Sequence, residues 1–101
     1  MIDQAKVRRE SMRWLIILTL QNAAPIGAYE ELILATVQAM YPDSSALEVR
    51  RELNYLFERE LIHLTKEPGG RWFSCLSRAG TDLAEYVVDC EPGIARPAKY
   101  W

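Results

Sequence analysis

The stretch VRRELNYLFERELIHLTKEPGGRWFSCLSRAGTDLAEYVV, from Val49 to Val88, decides how the chain is read. It opens with apolar residues at helical spacing, Val49, Leu53, Leu56 and Phe57 making one face. At Leu61-Ile62-His63-Leu64-Thr65 the period shortens to that of a strand. Pro68-Gly69-Gly70 forms a hairpin tip, with glycine supplying the positive φ of a tight turn. Arg71 to Leu76 returns as a second strand. Ser77 then caps a helix whose stripe is Leu83, Ala84, Val87 and Val88.

Upstream, residues 5–23 read as helix one, and 29–40 as helix two on the stripe Leu32, Ile33, Thr36, Val37 and Met40. Ala24-Pro25-Ile26-Gly27 separates them, and Ile26 is expected to bridge to the hairpin. Tyr41-Pro42-Asp43 ends helix two, because the residue before proline avoids helical geometry. Helix three is expected over 45–59, with Ser45 and Glu48 at capping-box spacing. The hairpin then occupies 61–76 and helix four 78–88. Helix–helix–helix–hairpin–helix predicts a mostly α fold with a small antiparallel β-hairpin, a winged helix-turn-helix. The expected division is a single domain over 1–90 and an extended tail over 91–101, broken by Gly93 and Pro97.

Leu53, Leu56, Leu61 and Ile62, followed by Leu76-Ser77-Arg78-Ala79-Gly80 and Leu83, resemble the winged-helix domains of MarR- and PadR-type regulators. There the second strand commonly runs into the next helix through a Leu-Thr-x-x-Gly-like step. The resemblance covers about residues 28–88 and implies the same fold and a DNA-binding role. One departure is Glu60, where such domains often carry glycine. The tail from Cys90-Glu91-Pro92-Gly93 to Trp101 is similar to small proteins of Mu-like phages and prophages, which implies a phage or prophage origin.

The resemblance implies that helix three enters the major groove of double-stranded DNA. Arg51, Asn54 and Tyr55 are then the outward candidates with Arg50 on the flank, since arginine pairs with guanine and asparagine with adenine. Lys66 and Arg71 on the wing and Arg78 at the start of helix four would meet phosphates. The alternative is a solvated or protein-binding face, because Glu48, Glu52 and Glu58 lie on or beside the same surface. Net charge is −2 over 101 residues, which excludes a basic stripe along the whole chain. Positive charge is concentrated in residues 1–23 at +2 and in 45–81 at +1.

Helix one carries Trp14 to Leu20, apolar in nearly every direction. Two readings fit: a central core helix, or a core helix that also meets a second copy. Trp14 and Ile17 are the interface candidates there. On the wing, adjacent Trp72 and Phe73 face opposite sides of a strand. Trp72, with Tyr100 and Trp101 of the tail, is an interface candidate; the alternative is that Tyr100 or Trp101 folds back over the exposed aromatic of the wing.

No nucleophile–base pair, phosphate loop or dinucleotide fingerprint is present, so no catalytic residue is expected and the chain reads as non-enzymatic. His63, Cys75 and Cys90 lack metal-ligand spacing, and no metal or cofactor is expected. Trp14 to Leu20 is too short to span a bilayer, so no membrane partner is expected. With two cysteines and no secretory leader, the expected location is cytoplasmic.

Overall fold

The computed structural model describes residues 2–99. Among these, α1 is Gln4–Ala23, β1 Ala28–Tyr29, α2 Glu30–Met40, α3 Ala46–Glu58, β2 Ile62–Lys66, β3 Trp72–Leu76 and α4 Arg78–Ala84. Three of the helices begin where a short polar side chain replaces a missing backbone acceptor. Asp3 accepts from the Lys6 amide, Ser45 from the Glu48 amide and Ser77 from the Gly80 amide. Helix α2 has no such cap; Glu30 and Glu31 in its first turn oppose the positive end of the helix dipole instead.

The sheet is antiparallel in the order β1-β3-β2. Lys66 lies opposite Trp72 and Ile62 opposite Leu76, while Ala28 and Tyr29 pair with Ser74 and Phe73. The fold is a winged helix: three helices, a two-stranded wing, a third short strand on the wing's inner edge and a short closing helix. The bridge falls at Ala28 rather than Ile26, which is exposed. Gly27 explains the offset. It has φ +105°, and a Cβ there would collide with the Ser74 carbonyl, so the chain can swing against β3 only after this residue.

Met12, Ile16, Ile17 and Leu20 of α1 fill the centre of the core, against Ile33 and Val37 of α2 and Val49, Leu53 and Leu56 of α3. Ile17 has no surface left for a second copy, whereas Trp14 is half-buried and packs edge-on against Tyr86 at 6.2 Å. Phe57, expected in the core, is 49% exposed, and Leu32 and Met40 of α2 are also open.

Helices α3 and α4 stop in the same way. Leu61 N–H bonds to Leu56 C=O and Glu60 N–H to Phe57 C=O; Val87 N–H bonds to Asp82 C=O and Tyr86 N–H to Leu83 C=O. In each case the turning residue is left-handed, Glu60 and Tyr86 both at φ 62°. Helix α4 therefore ends at Ala84 instead of reaching Val88, and Val87 and Val88 are exposed rather than part of a buried stripe.

The C-terminal segment, without helix or strand among its described residues and turning at Pro92-Gly93, lies on its own domain. Ile94 is 7% exposed and joins the core. Ala95 N–H bonds to Glu10 C=O on α1, and the Arg96 guanidinium donates to the carbonyls of Leu83 and Val88. Tyr100 and Trp101, expected at an interface, lie outside the described residues.

Candidate nucleic-acid interface

Helix α3 presents three kinds of surface besides its core face. The stripe Glu48, Glu52, Tyr55 and Arg59 turns towards α1 and the C-terminal segment. The stripe Leu47, Arg51, Asn54 and Glu58 is the open one, with Asn54 half-buried and the others exposed. Arg50 leaves on the wing side.

The α1 stripe is closed by ion pairs across nearly forty residues of chain. Arg8 Nε donates to Glu48 Oε2 at 2.8 Å and Arg8 Nη1 to Asp43 Oδ1 at 3.0 Å. The Glu48 carboxylate thus goes to Arg8, and the Ser45 hydroxyl supplies the helix cap. Asp43 is held below the usual carboxylate range by its bond to Arg8. Arg13 Nε donates to Glu52 Oε1 at 2.7 Å, and Arg13 Nη1 to the Gly93 carbonyl at 2.8 Å. The Arg13 guanidinium also sits 3.5 Å from the Tyr55 ring centre. Arg59 donates to the Tyr55 hydroxyl and to the Pro92 carbonyl. Tyr55, expected to face DNA, is committed to this inward network, and Glu48 and Glu52 are drawn off the open stripe with it.

On the other flank the wing is fastened to α2. Arg50 Nε and Nη2 each donate to the Glu30 carboxylate at 2.7 Å, and Nη2 also to the Gly70 carbonyl. The Trp72 amide donates to Glu30 as well, and the Arg50 guanidinium lies 4.6 Å from the Trp72 ring centre. The Arg50 hydrogen bonds hold Glu30 below the usual carboxylate range despite its burial. Arg71 makes a two-pronged pair with Glu31 and lies 3.7 Å over the Tyr29 ring. The Tyr29 hydroxyl donates to Glu67 at 2.8 Å, which pushes its pKa up. A cleft of about 350 Å³ lies between α2, α3 and the wing, and its arginines are already matched by Glu30 and Glu31.

The candidate DNA contacts therefore separate. Arg50 and Arg71 are taken up by ion pairs with Glu30 and Glu31. Arg51 and Arg78 are exposed, with no hydrogen-bond or ion-pair partner among the described residues. Lys66 is exposed, 4.5 Å from the Trp72 ring centre. Trp72 is half-buried, with both Arg50 and Lys66 against its ring, and Phe73 packs against Tyr29, ring centres 5.0 Å apart. One further cation shares the open surface: Arg9 of α1, which lines a cleft of about 230 Å³ together with Arg51, Asn54 and Glu58. The positive balance of the first 23 residues was its signal in the sequence.

His63 is exposed and lies across the ladder from half-buried Cys75. Among the described residues no three His, Cys, Asp or Glu side chains gather as a metal site, and no helix is long and apolar enough to cross a membrane.

No protein-family model and no curated protein sequence matches the chain. Among solved structures, it is similar to a protein of Ralstonia eutropha JMP134 described as a candidate DNA-binding protein. The TM-score is 0.61 at 20% identity, covering 88% of this chain and all of that one. At that identity the likeness establishes a shared fold.

Proposed function

We propose that the chain binds double-stranded DNA through the open stripe of α3, with Arg51 and Asn54 reading base edges in the major groove. The observation that carries this is the removal of the acidic obstacle. Arg8 and Arg13 turn Glu48 and Glu52 towards α1, so Arg51 and Asn54 stand on a surface where Glu58 is the remaining acid of helix α3. Both side-chain types match the donor and acceptor patterns of guanine and adenine. The candidate DNA-binding role of the Ralstonia protein supports the same reading. A transcriptional regulator or a phage DNA-transaction factor would use such a surface.

The footprint is small. Arg51, Lys66 and Arg78 are the exposed cations of α3, the wing and α4 that have no ion-pair partner among the described residues, so a single copy sets about three unpaired positive charges against the DNA. The logarithm of the binding constant should then fall with a slope of roughly −3 against the logarithm of salt, shallow for a DNA binder. Fluorescence anisotropy with a labelled duplex, titrated from low salt upward, tests this. Absence of binding to any duplex at low salt rules the reading out.

A second reading has its own observation. Leu47 is 63% exposed and Phe57 49%, both on α3. Apolar side chains at those positions suit a protein partner better than a phosphate backbone. Binding to a protein that persists at high salt and disappears in Leu47→Asp would favour it.

A further inference from the structure

We infer that α1 takes part in the same DNA contact: Arg9 holds one backbone phosphate at the mouth of the cleft between α1 and α3, beside Arg51, which keeps its base-reading role. This rests on the DNA-binding reading and extends it to a helix outside the helix-turn-helix. The residues lining the cleft include Arg9 and Arg13 from α1 and Arg51, Glu52, Asn54 and Glu58 from α3. Arg13 has its donors on Glu52 and Gly93, and that pair is nearly closed to solvent, with side chains 13% and 3% exposed. It shapes the floor of the cleft and is balanced. Arg9 and Arg51 are both exposed and lack a hydrogen-bond or ion-pair partner among the described residues, against the single carboxylate of Glu58. With Arg51 and Asn54 assigned to base edges, Arg9 is the unpaired guanidinium left on this concavity, and its donor fork suits a phosphodiester oxygen pair. A duplex lying along the open stripe of α3 brings its backbone past this flank, since base contacts occupy the groove and phosphates run along its edges. The opposite flank lacks the same opportunity, because Arg50 and Arg71 are matched by Glu30 and Glu31.

A positioning contact and a base contact behave differently. A phosphate contact carries no sequence information, so its loss weakens binding to every duplex alike. The experiment measures the affinity of the wild-type chain and of Arg9→Ala, Arg9→Lys and Glu58→Gln for several unrelated duplexes over a range of salt. Arg9→Ala is expected to lower affinity about eightfold at 0.1 M monovalent salt, by the same factor on each duplex, and to make the salt slope shallower by about one. Arg9→Lys should keep the slope, and Glu58→Gln should tighten binding. Arg9 is exposed, so folding is unaffected, as circular dichroism will show. If the wild-type chain binds duplex but Arg9→Ala leaves affinity and slope unchanged, the α1 contact is wrong and the α3 reading stands. If the wild-type chain binds no duplex, the α3 reading fails and the α1 contact fails with it.

Discussion

The two flanks of α3 are built from the same chemistry and put to different uses. On the wing flank, Arg50 and Arg71 pair with Glu30 and Glu31 of α2, and the pairs fasten the hairpin to the helix-turn-helix. On the α1 flank, Arg8 and Arg13 pair with Glu48 and Glu52 of α3 itself, and the pairs strip acid from its open face. The first arrangement removes cations from a prospective DNA surface; the second removes anions. A chain with net charge −2 can thereby expose a local positive surface on α3 and α1. It follows that counting arginines near a recognition helix misleads unless their partners are known.

The contrast breaks most readily at Arg13. Glu52 is 3% exposed, and Arg13→Ala leaves its carboxylate buried without a partner while also releasing Gly93 and the Tyr55 ring. Removing one partner of a buried pair costs about 3–5 kcal/mol. Urea unfolding should show a large fall in midpoint. A fall no larger than that of an exposed arginine, such as Arg9→Ala, would mean that Glu52 reaches solvent.

Gly93 is the next point of failure on that flank. It has φ +111°, and a Cβ there would run into the Tyr55 hydroxyl. Gly93→Ala therefore combines an unfavourable backbone with overpacking and should cost about 2 kcal/mol. Hydrogen exchange should rise at the Ala95 amide, which bonds to Glu10 on α1, while the wing amides stay protected. Equal loss of protection on the wing would show that the two flanks are not separate.

How far the sequence could be read follows from the range of each interaction. The caps at Ser45 and Ser77 were legible because they act over three residues. The wing was legible because Pro68-Gly69-Gly70 sits between two alternating runs. The ion pairs Arg8–Glu48 and Arg13–Glu52 join residues about forty positions apart, and no periodicity reveals them. The docking of Ile94 was hidden for the same reason, within a segment whose composition suggested only a tail. The end of α4 was missed because Tyr86 turns left-handed without the glycine that usually marks such a stop. Glu60 is the mirror case: its departure from glycine was visible, and its φ of 62° shows what glycine would relieve. Glu60→Gly should stabilise the chain by about 1 kcal/mol, raising the urea midpoint, provided the Ser77 hydroxyl keeps its bond to the residue 60 carbonyl.

On the wing flank the test is pH. Glu30 has its folded pKa depressed below the ordinary value of 4.5 by Arg50 and the Trp72 amide. A depressed carboxylate contributes stability above the unfolded pKa and loses it as pH falls through the folded one. The urea midpoint should therefore fall as pH drops below about 4.5, and Glu30→Gln should lessen that fall. Glu31 and Asp43 shift in the same direction, so part of the fall will remain. An identical acid profile in Glu30→Gln would remove Glu30 as a contributor to the fastening of the wing.

The smallest effect is expected where sequence alone points to a large one. Arg71 lies on the wing and reads as a phosphate contact, yet it holds Glu31 two-pronged and covers the Tyr29 ring. To reach DNA it must leave both, and the carboxylate it leaves would then repel the phosphate it gains. Arg71→Ala should change duplex affinity less than twofold at moderate salt and leave the salt slope within error, while Arg51→Ala weakens binding by about 1–3 kcal/mol and relaxes base preference at one position. Its effect on folding should also be slight, because the pair with Glu31 is more than half exposed on both sides. Should Arg71→Ala match Arg51→Ala in affinity and slope, the pair with Glu31 opens on binding. The wing flank would then supply cations to DNA as is proposed for the α1 flank, and the difference between the two flanks would belong to the unbound chain alone.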